Sequence, residues 1–268
     1  MCATCGCSGD GTTIVTAHDH DHDHRHDHEH GPDHRHGHVH DHEHAVTPTL
    51  RATDDRTISL ERAVLAKNDA LAARNRTWFA ARGITAFNLV SSPGSGKTSV
   101  LERTVRDLGP ELPMVVIEGD QATDNDSARI RAAGARALQV NTGTGCHLEA
   151  GTVRRALDIL EPAANSIVMI ENVGNLVCPA LFDLGERAKV AILSVTEGDD
   201  KPAKYPHMFA AADLLLINKI DLLPYVEFEM DACIAHARRV RPGLETIQLS
   251  AKTGENVGAW YDWLRASV

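Results

Sequence analysis

Apolar residues recur with regular spacing from about Ile58 to the C-terminus, whereas before Pro48 there is almost no apolar periodicity. Over residues 59–82 (SLERAVLAKNDALAARNRTWFAAR) the apolar positions repeat near every 3.6 residues among good helix formers. Gly83 supplies a stop, so this stretch is predicted to be a helix. Short aliphatic runs follow: FNLVSS (87–92), MVVIEG (114–119), RALQV (136–140), SIVMIEN (166–172), KVAILSV (189–195), DLLLIN (213–218) and TIQLS (246–250). Helical stretches lie between most of them, one running from Ser99 to Leu108 and another beginning at Leu148. Continuous aliphatic runs suit strands buried on both faces. Their alternation with helices predicts an α/β fold, a mostly parallel sheet flanked by helices with sites at the strand C-terminal ends. The expected organisation is one globular domain over residues 55–268 and a disordered tail over residues 1–50.

Charge sharpens that division. Of the formal net charge of −10, nine acids against two arginines put −7 within residues 1–45 and leave −3 on the remainder. A domain this close to neutral offers no basic footprint for nucleic acid. No segment approaches the ~18 apolar residues of a membrane span. The start also lacks the charged and apolar regions of a secretion or lipoprotein signal. Three of the six cysteines crowd the first seven positions, and Cys146, Cys178 and Cys233 are scattered through the α/β pattern. That usage fits a reducing compartment, so a cytoplasmic location is expected.

Between the first strand and the Ser99–Leu108 helix lies PGSGKT. Strand, glycine-rich turn and helix is the arrangement that holds phosphate. Glycines let backbone N–H groups converge on an anion, and the helix N-terminus adds partial positive charge. Gly94, Ser95, Gly96, Lys97, Thr98 and Ser99 form the candidate cradle of a P-loop NTPase. In it, Lys97 reaches the β- and γ-phosphates and the Thr98 hydroxyl ligates Mg2+. Ser91 stands where the G-x-x-x-x-G-K-[ST] pattern has glycine.

Asn218-Lys219-Ile220-Asp221 follows the DLLLI strand, and Ser250-Ala251-Lys252 ends the next one. A carboxylate that accepts from guanine N1–H and the exocyclic amine rejects adenine, which would leave it unpaired. Asp221 is placed for this, with Asn218 supporting the base edge and Lys219 packing across the site, so GTP is the expected nucleotide. Glu171 in ENVG stands where GTPases usually have the Asp of D-x-x-G, and Gly174 offers an amide to the γ-phosphate. Lys97, Asp120 and Glu171 are the candidate catalytic set, while Asp120, Asp124 and Asp126 all stay open as the acid serving water or Mg2+. The residue after Gly174 is Asn175, not a water-orienting glutamine, which predicts slow intrinsic hydrolysis.

Taken in order, NLVSSPGSGKT, EGDQATDND, GTGCHLE, ENVGNLVCP, NKID and SAKTGE, with the MCxxCGC opening, resemble the HypB family of hydrogenase nickel-incorporation GTPases. The resemblance covers the globular part and the first seven residues. It implies the SIMIBI branch of the P-loop fold and a GTP-dependent homodimer. It also implies delivery of Ni2+ to the [NiFe] hydrogenase large subunit alongside a HypA-type nickel chaperone. Cys2, Cys5 and Cys7 match the family's tight nickel site; a zinc knuckle is the alternative reading. Cys146, His147 and Cys178 match a second metal site at the dimer interface, for Ni2+ or Zn2+. From the residues alone, a buried structural cysteine competes with that reading for both thiols. Cys178 lies four residues beyond Gly174, so a γ-phosphate that pulls on Gly174 would also move a ligand. The related urease GTPase, UreG, carries a Cys-Pro-His motif where this chain has GCHLE. Cys233 and His236, spaced i, i+3, match no family position and read as ordinary helix residues.

From His18 to His44 there are 13 histidines, mostly alternating with Asp or Glu. Neutral imidazoles ligate, and the flanking acids attract divalent ions, so this His-rich tract reads as a nickel store. A pH-sensitive solubilising tail is the alternative. The competing function is a metal-storage protein whose nucleotide site only regulates dimerisation.

Overall fold

A computed structural model describes residues 55–120, 125–143 and 145–268. Cys2, Cys5, Cys7, the histidine tract and Asp124 lie outside the described residues. In chain order the elements are α1 (Asp55–Ala80), β1 (Thr85–Ser91), α2 (Lys97–Leu108), β2 (Met114–Asp120), α3 (Asn125–Ala132), β3 (Arg136–Asn141), α4 (Ala150–Leu160) and β4 (Ile167–Glu171). There follow α5 (Cys178–Leu181), β5 (Ala188–Ser194), α6 (Lys201–Lys204), α7 (Pro206–Ala211), β6 (Leu214–Asn218), α8 (Met230–Val240), β7 (Glu245–Gln248) and α9 (Val257–Ser267). A 3-10 turn, Ile220–Tyr225, leads out of β6.

The strands form one seven-stranded sheet in the order β3-β2-β4-β1-β5-β6-β7. Every pairing is parallel. All seven expected strands are present, each within two residues at either end. Burial explains their composition. β4, β5 and β6 are buried at every position, while β3 and β7 at the two edges are largely half-exposed. Alternate residues of β1 serve opposite faces. Phe87 and Leu89 enter the core under α2, α3 and α9 with Trp260 and Leu264, whereas Ala86 packs with Leu148, Val153 and Leu157 on the other side.

Three helix starts differ from the sequence reading, the first because α1 begins at Asp55 rather than Ser59. α2 begins at Lys97 rather than Ser99, which puts Lys97 and Thr98 in its first turn. α4 begins at Ala150 rather than Leu148. At α4, side chains of other elements satisfy the preceding amides: Leu148 N–H donates to Asn172 Oδ1 (3.1 Å) and Ala150 N–H to Asn68 Oδ1 (2.9 Å). Among the described residues, no helix is long and apolar enough to cross a membrane.

This topology places the site. The chain leaves β1 toward β2 on one side and later returns to β5 on the other, so a crevice opens at the C-terminal end of β1. The turn after β1 and the ends of β4 and β6, at Glu171 and Asn218, border that crevice.

Candidate nucleotide and metal site

The turn between β1 and α2 is shaped by two glycines in the left-handed region, Gly94 (φ +76°) and Gly96 (φ +92°). Gly96 is doubly constrained, because a Cβ there would stand 2.5 Å from Asn218 Nδ2. Ser91, the departure from the glycine pattern, has no positive φ and needs no glycine. Its buried hydroxyl donates to the Ser92 carbonyl (2.6 Å) and accepts from Ser95 Oγ (2.6 Å) and Lys97 Nζ (2.8 Å). Serine here holds the lysine.

At the first turn of α2, Thr98 Oγ1 lies 2.8 Å from Glu171 Oε1 and 3.2 Å from Asp126 Oδ2. The other Glu171 oxygen is buried without a hydrogen-bond partner. Burial pushes the Glu171 carboxyl up, against the pull of Lys97 and the Thr98 hydrogen bond. Three oxygen donors around a buried, unsatisfied carboxylate oxygen suit a hard cation such as Mg2+. Of the three acids left open by the sequence, Asp126 is the one whose side chain is seen at Thr98. Asp120 ends β2, and its side chain lies outside the described residues. Glu118, which the sequence reading passed over, is buried in register with Glu171 and lines the same cavity of about 570 Å³. Its signal was its position in EGD, two residues before Asp120 on a strand that ends at the crevice.

A second cavity of about 370 Å³ adjoins the first through Gly96, Ser99 and Lys219, and is lined by Asp221, Ala251 and Lys252. Ser250 Oγ donates to Asp221 Oδ1 at 2.5 Å, orienting the carboxylate. Both ends of the Asn218 amide are taken up by neighbouring loops. Its Nδ2 donates to the Ser95 carbonyl (3.0 Å) and its Oδ1 accepts from Ala251 N–H (3.1 Å), so it is a strut between the two loops. Lys219, itself left-handed at φ +65°, donates to the Gly94 carbonyl at 2.7 Å. Arg103 on α2, also missed by sequence reasoning, reaches the Ala251 and Lys252 carbonyls at 3.3 and 3.5 Å.

Beyond the phosphate end, the ligating atoms of Cys146, His147 and Cys178 all lie within 4.8 Å of one another, the one such cluster among the described residues. Cys146 Sγ is 3.6 Å from His147 Nδ1, and Cys178 is fully buried at the start of α5. The His147 ring stacks on Phe182 at 3.8 Å, and its buried Nε2 has no partner. Burial pushes the imidazole pKa down, which keeps it in the neutral form that binds metal. Two soft thiols and an imidazole suit Ni2+ or Zn2+. Asn175 Nδ2 reaches the Cys146 carbonyl at 3.4 Å, while the neighbouring Gly174 packs on Pro93 of the phosphate turn. Cys233 is elsewhere, on the core side of α8, where burial pushes its thiol up to about 12.

The family model for the CobW/HypB/UreG nucleotide-binding domain matches residues 85–248. The hydrogenase maturation factor HypB of Rhizobium leguminosarum bv. viciae is 58% identical over 216 residues, covering 81% of this chain and 72% of its own. HypB of Escherichia coli (strain K12) is 59% identical over 209 residues, covering 78% and 72%. The crystal structure of HypB from Archaeoglobus fulgidus aligns with a TM-score of 0.70 at 38% identity, over 75% of this chain and 98% of that one. HypB from Helicobacter pylori in complex with nickel aligns with a TM-score of 0.70 at 36% identity, over 75% and 94%. With this likeness extending through the P-loop and the Cys-His segment alike, the chain belongs to the HypB family of hydrogenase maturation factors and is a P-loop GTPase.

Proposed function

We infer that the chain is a GTP-switched nickel carrier for [NiFe] hydrogenase maturation. The observation that carries this reading is the join between its two halves. Asn175 touches the Cys146 carbonyl and Gly174 rests on Pro93, so the thiol-imidazole cluster sits on segments that also border the phosphate cavity. The relative from H. pylori, described in complex with nickel, supports Ni2+ as the cargo, with Zn2+ as the competing ion.

In this reading Gly94, Ser95, Gly96, Lys97, Thr98 and Ser99 wrap the phosphates, and Gly174 offers its amide to the γ-phosphate. Asp221 reads guanine, held by Ser250 beside Ala251 and Lys252. Asn218 and Lys219 brace that pocket against the phosphate turn. Thr98, Glu171 and Asp126 would hold Mg2+, whose chemistry is neutralisation of phosphate charge. Asp120, at the end of β2, is left to the water side. Lys97 stabilises the charge that develops on the phosphates.

Residues 55–268 act as the GTPase domain. Residues 1–50 add a tight site at Cys2, Cys5 and Cys7 and a weak, exchangeable nickel store in the histidine tract. Two Cys146-His147 pairs brought together by a twofold axis would complete a four-ligand site in a GTP-dependent homodimer. Such a cytoplasmic carrier works with a HypA-type chaperone and the hydrogenase large subunit.

Size-exclusion chromatography with metal analysis on the apo, GDP and GTP-analogue forms tests the reading. A GTP-analogue dimer with changed metal content is expected; a monomer with constant metal content in all three would overturn it. The storage reading has its own test: maturation would survive Lys97→Ala but not deletion of residues 18–44.

A further inference from the structure

Four buried polar side chains left unused by the nucleotide and metal chemistry form one connected chain. Asn172, directly after Glu171, accepts the N–H groups of Leu148 (3.1 Å) and Val173 (3.0 Å) on its Oδ1. Its Nδ2 donates to Asn88 Oδ1 on β1 (3.2 Å), and Asn88 Nδ2 donates to Glu186 Oε1 (3.0 Å). The other Glu186 oxygen accepts the Leu184 N–H (2.6 Å), and Glu186 stands 3.8 Å from Lys189 Nζ. Lys189 then donates to the carbonyls of Pro179 (2.7 Å), Ala180 (3.4 Å) and Phe182 (3.4 Å). None of the four residues is more than 9% exposed.

The two ends of this chain fall in telling places. Leu148 follows Cys146-His147 directly, and Pro179 follows Cys178. α5 has four residues, so its carbonyls lack helical partners of their own. The three donors of the Lys189 ammonium meet three of the carbonyls in and just after α5. A buried lysine is costly unless its donors are used and a counter-charge is near, and Glu186 supplies that charge. Asn172, next to the Leu148 end, shares its backbone with Glu171 on one side and Val173-Gly174 on the other.

We propose that Asn172, Asn88, Glu186 and Lys189 are positioning residues for the Cys146–His147–Cys178 site, a relay that sets the spacing of the two ligand-bearing segments and carries nucleotide-side movement to both. The proposal rests on the metal reading above. Groups that orient ligands from behind typically change metal affinity about 10–100-fold when removed.

The test is Ni2+ titration of the full chain, read by the thiolate-to-nickel charge-transfer band, in the GDP and GTP-analogue forms. Difference spectra against Cys146→Ser/Cys178→Ser remove the contribution of the N-terminal ligands. Lys189→Met/Glu186→Gln removes the buried ion pair as a unit. It is expected to weaken Ni2+ at this site about tenfold or more and to shift the band, with GTP-analogue affinity within about threefold of wild type. Asn88→Leu interrupts the relay without touching either ligand segment, and is expected to bring the GDP and GTP-analogue affinities for Ni2+ toward equality. Wild-type band, affinity and nucleotide response in a variant that still binds GTP would overturn the proposal; if the double variant does not fold, Asn88→Leu decides alone. A wild-type chain with no difference spectrum would instead remove the metal reading, and the relay with it.

Discussion

The Thr98 hydroxyl lies 2.8 Å from Glu171 Oε1, while Glu171 Oε2 is buried without a hydrogen-bond partner. Burial raises this carboxyl's pKa above its unfolded value, so its ionised form costs stability increasingly as pH rises from the ordinary carboxylate range through the folded pKa. Glu171→Gln removes that cost at neutral pH. The nucleotide-free variant is expected to melt about 2–4 °C higher, of order 1 kcal/mol, while GTP hydrolysis falls about a hundredfold or more. Thermal melts beside a phosphate-release assay check both; a variant that is destabilised and still active would contradict this account of the site.

Asp221 is held by Ser250 at 2.5 Å in the cavity beside Lys252, and in the proposed function its carboxylate accepts from the purine edge. Asp221→Asn replaces one acceptor by a donor. GTP affinity should fall about 10–100-fold, and xanthosine triphosphate, which presents a carbonyl in place of the amine, should gain. Competition binding with GTP, ATP and XTP measures this. Unchanged GTP preference would show that the base is read elsewhere.

His147 titrates in the opposite sense to a paired imidazole. Burial holds its folded pKa below the unfolded value of about 6.5, so its stabilising contribution is present above that value and is lost as pH falls through it toward the folded pKa. In the metal-free chain this loss has a slope of at most ~1.4 kcal/mol per pH unit. His147→Phe, which keeps the ring against Phe182, should flatten it. Urea denaturation at pH 7.5 and 5.5 decides, and equal slopes in both proteins would refute the assignment.

Trp260 joins α9 to the sheet. Its Nε1 donates to Thr104 Oγ1 on α2 at 2.9 Å, and the ring is 1% exposed. Trp260→Ala should cost about 3–5 kcal/mol, and Trp260→Phe less, by filling most of the space without the hydrogen bond. Chemical denaturation would give both values. A loss below about 1 kcal/mol for the alanine variant would mean that α9 is not part of the cooperative unit.

The strands were legible because burial on both faces writes itself as uninterrupted aliphatic sequence, as in LLLIN of β6. Gly94 and Gly96 were legible because their left-handed backbone demands glycine. The residues that escaped notice, Glu118, Arg103 and Lys189, owe their meaning to neighbours far along the chain. Arg103 matters because α2 lies beside the Ser250 loop, and Lys189 because β5 runs beneath α5. Asn218 shows the same limit in reverse: its place in NKID marks the proposed guanine end, yet its partners Ser95 and Ala251 appear only when the loops are folded together. The start of α4 was off by two residues because side chains from other elements take up the amides there, as at Ala150.

The contact between Gly174 and Pro93 sets a clearance. A Cβ at position 174 would stand 3.1 Å from the proline nitrogen and from its Cγ, closer than ordinary contact allows. Both neighbours hang from adjacent strands of a rigid sheet, Pro93 just past β1 and Gly174 just past β4. Any side chain at 174 would press on the turn that precedes Lys97, so the glycine keeps the gap between the two strand ends at backbone width.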